Sequence, residues 1–80
     1  MREDLIKSIV TAAVAKKAGI SMSEVTMESK LADDIGLDSL DRLETSMEIE
    51  RECDVTFTDQ EEESVVTVGD YVELVKAKQR

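Results

Sequence analysis

The sequence predicts an all-α fold: a small four-helix bundle with a short third helix and a long ordered loop between helices I and II. Three observations predict it. Apolar residues recur at helical spacing near both ends of the chain. Two pairs of residues three apart, Asp38 with Asp41 and Thr67 with Asp70, read as capping boxes with Asp in place of the usual Glu. Proline is absent and glycine occurs only 3 times in 80 residues, which favours helices with sparse punctuation. A chain of this length makes one domain, residues 1–80, and buries only about 60% of its unfolded surface. Its core is too small to enclose a large active site.

Helix I is expected over residues 3–18. Leu5, Ile6, Ile9, Val10, Ala13 and Val14 supply its apolar face. Glu3 and Asp4 suit the N-terminal end of the helix dipole, and Lys16 and Lys17 the C-terminal end. Gly19 stands where a left-handed C′ residue belongs, with Ile20 placed for the hydrophobic contact that accompanies it. Residues 20–37 keep no sustained period, yet Ile20, Val25, Leu31, Ile35 and Leu37 are spaced like anchors of an ordered loop. A loop of about 18 residues in a compact domain tends to be functional, and one short helical turn fits within it.

Helix II is expected over residues 39–52, with Asp38 as its N-cap. At about 100° per residue its apolar groups separate into two stripes. Leu43, Ser46, Ile49 and Cys53 are assigned to one side, and Leu40 and Met47 to another. A single buried face needs only one stripe. The second therefore reads as an exposed apolar strip flanked by Asp41, Glu44 and Glu48. Thr58 or Asp59 can cap a brief acidic helix III over residues 59–64. Helix IV, residues 68–78, buries Val68, Tyr71, Val72 and Val75, while Lys76, Lys78 and Arg80 favour its C-terminal end. Gly69, in its first turn, costs up to about 1 kcal/mol relative to alanine.

The net charge of −9 is unevenly spread. Residues 1–20 carry 4 basic and 2 acidic groups, residues 21–64 carry 3 and 15, and residues 65–80 carry 3 and 2. The central half projects a negative field that repels nucleic acid and anionic lipid and steers basic protein surfaces towards it. Nucleic-acid binding is excluded on charge. Crowded carboxylates repel one another, so the thermal midpoint is expected to rise by several degrees between low salt and about 0.15 M salt, and likewise with modest divalent cation, as screening takes hold. A midpoint independent of ionic strength would contradict this. No signal-peptide pattern opens the chain, and no stretch approaches the roughly 20 apolar residues of a membrane span, so the expected location is cytoplasmic.

Catalytic chemistry is poorly provided for. Histidine is absent, which removes the commonest general base and the Ser-His and Cys-His pairs. Cys53 is the only cysteine, so no internal disulfide is possible, and its core-facing position reads as packing rather than as a nucleophile. Asp33, Asp34 and Gly36 superficially suggest a calcium loop. With Gly36 at position six, however, positions one, five and twelve become Leu31, Ile35 and Arg42, none a carboxylate. No phosphate-cradling glycine loop is present. Ser39 remains. At N1 of helix II its hydroxyl lies at the positive end of a helix dipole, where a phosphodiester is favoured although Asp38 and Asp41 oppose it. On position alone, a serine that merely begins a helix is the stronger reading.

The run Asp34-Ile35-Gly36-Leu37-Asp38-Ser39-Leu40-Asp41, with Glu44 following, resembles the attachment motif of acyl carrier proteins of the fatty-acid and polyketide type. The resemblance extends through the helix I pattern, Gly19, Val25-Thr26, Leu31 and Thr67-Val68 to the last helix, and it reverses the reading of Ser39. It implies a single acyl-carrier domain and no enzyme activity. It also implies a covalent 4′-phosphopantetheine on Ser39, whose thiol holds acyl groups as thioesters. Asp38 would help a phosphopantetheinyl transferase (holo-carrier synthase) recognise the site. Leu40 and Met47 match positions that pack against partners. Asp41, Glu44 and Glu48, with Asp38, match the acidic rim that meets basic patches on ketosynthases, acyltransferases and other acyl-handling enzymes. The resemblance further implies a monomer serving fatty-acid biosynthesis and lipid metabolism.

Some positions depart from the family pattern. Thr45 and Ser46 replace aliphatic residues, Cys53 an aromatic, and Thr58 a frequent proline. Ser46 and Cys53 would line the inner face of helix II, where family members shelter a growing chain. A smaller, more polar lining either suits a specialised chain or loosens the core. A carrier dedicated to a polyketide, aryl or modified-lipid pathway is thus one alternative, and an unmodified acidic helical adaptor is another. Peptidyl carriers usually bear a Gly-Gly-[His/Asp]-Ser motif, so Ile35-Gly36-Leu37-Asp38-Ser39 disfavours aminoacyl cargo.

Overall fold

Four helices account for most of the chain in a computed structural model that describes residues 1–79: α1 (Glu3–Ala18), α2 (Ser39–Cys53), α3 (Asp59–Ser64) and α4 (Val68–Lys78). The all-α expectation holds, and among the described residues there is no strand beyond one isolated bridge between Lys30 and Thr67. Arg80, expected to favour the end of α4, lies outside the described residues.

Local capping sets the helix starts. Asp38 Oδ1 accepts from the Asp41 N–H at 2.8 Å, and Asp41 Oδ2 accepts in return from the Asp38 N–H at 3.3 Å. Thr58, rather than Asp59, caps α3 through a reciprocal pair with Glu61, and Thr67 does the same for α4 with Asp70. Each such cap contributes about 1 kcal/mol. Asp70 also accepts from the Val66 and Thr67 N–H groups, and these bonds hold its carboxyl below the usual range. Because that pKa is depressed by folding, its contribution is present above the ordinary carboxylate range and is lost as pH falls through the folded value. Gly19 closes α1 in the left-handed region, with the Ile20 N–H reaching the Ala15 carbonyl at 3.1 Å.

α1 packs against both α2 and α4. Ile6, Val10 and Val14 of α1 meet Ile49 and Cys53 of α2 and Val68, Tyr71, Val72 and Val75 of α4 in one buried cluster. Two assignments are corrected. Leu5 is 51% exposed and Leu43 is 46% exposed, so neither belongs to a buried face. At 100° per residue Leu5 falls roughly 100° from the centre of the α1 stripe, and Leu43 lies only about 40° from Met47 and 60° from Leu40. Leu43 therefore joins the exposed strip. Thr45 takes a place on the inner face of α2 and satisfies its hydroxyl by donating to the Asp41 carbonyl at 2.8 Å.

The connection between α1 and α2 is ordered, as its anchors imply: Val25, Leu31 and Leu37 are buried, and Ile20 and Ile35 pack against the core. It holds two short turns rather than one, a 3₁₀ turn at Met22–Glu24 and a wide π-type turn at Leu31–Ile35. Tertiary hydrogen bonds fix its path. The Leu31 N–H donates to the Val66 carbonyl at 2.9 Å, and the Gly69 N–H donates to the Met27 carbonyl at 2.8 Å. That approach explains Gly69, because a Cβ there would stand 3.0 Å from the Met27 carbonyl oxygen. Gly36, at φ 87°, ends the second turn in the left-handed region, where a side chain would be strained. Leu37 is thereby turned into the core and Asp38 is left at the mouth of α2.

Candidate functional site

The second turn delivers the chain to α2 with Asp38 extended at the N-cap and Ser39 at N1. Ser39 is exposed. The Asp38–Asp41 box occupies the Asp41 N–H, while helix geometry leaves the Ser39 and Leu40 N–H groups without intrahelical acceptors. An exposed hydroxyl beside free N–H donors, at the positive end of a 15-residue helix, suits a covalently held phosphodiester.

The residues expected around Ser39 divide into three sets. Asp38 and Asp41 meet in the cap. Leu40 (62% exposed) and Met47 (48% exposed) stand out in an apolar strip that Leu43 completes. Glu44 and Glu48 instead reach across to α1, where Lys17 Nζ lies 2.6 Å from Glu44 Oε1 and Lys16 Nζ lies 3.3 Å from Glu48 Oε1. The hydrogen bond to Glu44 is the leading reason that the Lys17 ammonium holds its proton more tightly than usual. These pairs partly neutralise two of the acids assigned to docking. Both pairs are exposed and screened by solvent, so a partner's basic group can displace them at small cost.

A cleft of about 380 Å³ opens between α2 and α3, and Ser39 stands on its edge. Tyr71 and Ser46 form its floor, joined by a buried 2.6 Å hydrogen bond between their hydroxyls. Tyr71 also donates to the Arg42 carbonyl at 3.2 Å, so Ser46 is the donor in the Ser46–Tyr71 bond. Burial leads the effects that push the Tyr71 phenol up, and the Phe57 ring stacks on it with centroids 6.2 Å apart. Arg42 also lines the floor of the cleft and donates to the Val65 carbonyl at 2.7 Å. Burial, with Glu50 and Asp59 beside it, raises the Glu62 carboxyl on the α3 rim.

Cys53 lies in the core and does not line this cleft. Burial raises its thiol pKa, which keeps it protonated and unreactive, in line with a packing role. Two members of the floor, Arg42 and Tyr71, were not singled out as site residues from the sequence. For Arg42 the signal was present, since positions 42, 46, 49 and 53 share one helical face and a basic residue interrupts it.

No helix among the described residues is long and apolar enough to cross a membrane. The profile of the phosphopantetheine attachment site family matches residues 8–75. The chain is 40% identical over 78 residues to an acyl carrier protein from an Exiguobacterium species, covering 98% of this chain and 99% of the relative. It is 45% identical over 64 residues to one from Clostridium acetobutylicum, 80% of this chain and 83% of the relative. A third, from Chlorobium phaeobacteroides, is 37% identical over 78 residues, 98% of this chain and 100% of the relative. An exposed serine at a helix mouth, a helical bundle and these matches lead to one conclusion: the chain belongs to the acyl carrier protein family, whose prosthetic group is a covalently attached 4′-phosphopantetheine.

Proposed function

We propose that residues 1–80 form one acyl-carrier domain and that Ser39 is its attachment residue. The Ser39 hydroxyl would take 4′-phosphopantetheine from coenzyme A in a reaction run by a phosphopantetheinyl transferase. The arm supplies a terminal thiol on which an acyl group is held as a thioester. The chain itself contributes an anchor, a docking surface and a neighbouring cleft, and leaves bond chemistry to partner enzymes of fatty-acid or related biosynthesis. The observation that carries this reading is the exposed Ser39 hydroxyl at N1 of α2, in a chain whose family is defined by such an attachment site. Asp38 holds the helix mouth in shape, so its role in recognition is to present Ser39 in a fixed orientation. The test is incubation with coenzyme A and a promiscuous transferase. The intact mass is expected to rise by one phosphopantetheine, and no rise, as for an unmodified acidic adaptor, would contradict the proposal.

Docking falls to Leu40 and Met47 with Asp41, Glu44 and Glu48 around them. An exposed apolar strip rimmed by carboxylates fits a partner surface with an apolar pocket and a basic rim. Leu40→Asp is expected to lower the transferase kcat/KM about 30-fold, the size of a typical hot-spot loss of about 2 kcal/mol. The thermal midpoint should stay within a few degrees of the parent, because an Asp in the first turn of a helix suits its dipole. An unchanged kcat/KM would remove Leu40 from the docking surface.

A further inference from the structure

The cleft beside Ser39 is a poor container for a hydrocarbon. Leu43 is the one aliphatic side chain among its lining residues, and the floor consists of the Ser46 and Tyr71 hydroxyls with the Arg42 guanidinium. Ser46 gives its proton to Tyr71, which leaves the Ser46 oxygen lone pairs available to a hydroxyl donor. Arg42 spends one nitrogen on the Val65 carbonyl, and its Nε is buried without a hydrogen-bond partner. The guanidinium is thus a donor with capacity to spare for a carbonyl oxygen. Ser46 and Tyr71 are already buried and bonded to each other, so the cost of laying methylenes here falls on the part-exposed Arg42. Its guanidinium would lose water and gain no hydrogen bond, which offsets the gain from burying the chain. The rim adds a second constraint. Asp59, Glu62 and Glu63 surround the opening from α3, and three carboxylates repel an acyl group that itself ends in a carboxylate.

We propose that the cleft formed by Arg42, Ser46 and Tyr71 selects neutral acyl groups bearing a carbonyl or hydroxyl oxygen, such as 3-oxoacyl groups, over saturated alkyl chains and over carboxylate-terminated ones. The inference rests on the reading of Ser39 as the attachment residue, since only an arm anchored there brings its cargo to this cleft. It gives a consequence to the polar Ser46 at a position where the family more often has an aliphatic residue: its hydroxyl is buried and paired with Tyr71 while the cargo class changes.

The test uses the full chain loaded through coenzyme A analogues that carry butanoyl, octanoyl, 3-oxobutanoyl or succinyl groups on an amide in place of the thioester. Intact mass establishes loading first, so a failure to load overturns the assignment of Ser39, whereas a loss of selectivity in the loaded forms overturns the cleft alone. For the loaded forms, backbone amide chemical shifts are compared with those of the protein bearing the unacylated arm. The 3-oxobutanoyl form is expected to move the amides around Arg42, Ser46 and Tyr71 at least about threefold more than the other three. Arg42→Leu and Arg42→Met, tested separately so that one poorly folded variant does not decide the outcome, should each abolish that difference, because Ser46 and Tyr71 have already spent their protons. Equal or larger shifts with octanoyl, larger shifts with succinyl, or no shift with 3-oxobutanoyl would overturn the proposal.

Discussion

Ser39→Ala is expected to take up no phosphopantetheine under conditions that load the parent completely, while its urea midpoint stays within the error of the parent's. The two halves of that expectation come from one geometry. Ser39 is exposed at N1, and the cap that fixes the helix mouth is made by Asp38 and Asp41. Removing the hydroxyl would therefore delete the proposed acceptor of the arm and little else, and alanine is at least as good a helix former. A surface change of this kind lies within about 0.5 kcal/mol. Partial loading of the variant would show that a second residue competes as the acceptor. A large loss of stability would show that the Ser39 side chain helps to hold the helix mouth.

A second large effect separates the two apolar stripes of α2. Ile49 is fully buried among α1, α2 and α4, whereas Met47, two residues earlier, is half exposed. Ile49→Ala removes buried carbon and leaves a cavity, at a cost of about 3 kcal/mol. An 80-residue domain has roughly 4–12 kcal/mol to lose, and with a urea m-value near 1 kcal/mol/M the midpoint should fall by roughly 2–3 M. Met47→Ala should move it by less than about 0.5 M, since that side chain already faces solvent. Equal effects at the two positions would mean that the strip containing Met47 is part of the core and unavailable to a partner.

The features legible in the sequence are those in which a side chain meets the backbone nearby. The caps at Asp38, Thr58 and Thr67 and the glycine stop after α1 are all interactions within a few residues, and the helix bounds follow from them. The α4 face of Val68, Tyr71, Val72 and Val75 was equally plain, because four apolar residues mark one side without ambiguity. Leu5 and Leu43 were misplaced because each borders an apolar stripe, and the neighbours in space decide which side of the border is covered. The π-type turn at Leu31–Ile35 had no local signature; the backbone bond from Leu31 to Val66 helps to hold it, a partner far along the chain. The same distance hid the pairing of Lys17 with Glu44 and of Lys16 with Glu48, which are 27 and 32 residues apart. Around Ser39, the N1 position and its cap were readable. The hydroxyl floor was not, because Ser46 and Tyr71 meet only when α2 and α4 are packed together.

The most direct test of the attachment residue is to map the group on the loaded protein. Trypsin cuts after Lys30 and Arg42 to give a 31–42 peptide in which Ser39 is the only hydroxyl-bearing side chain. Fragment masses can therefore assign an adduct on that peptide without ambiguity. The expected result is one phosphopantetheine on the 31–42 peptide, with its fragments placing the mass at Ser39 and every other peptide unmodified. The group on any other peptide, or a loaded protein whose 31–42 peptide is bare, would contradict the assignment.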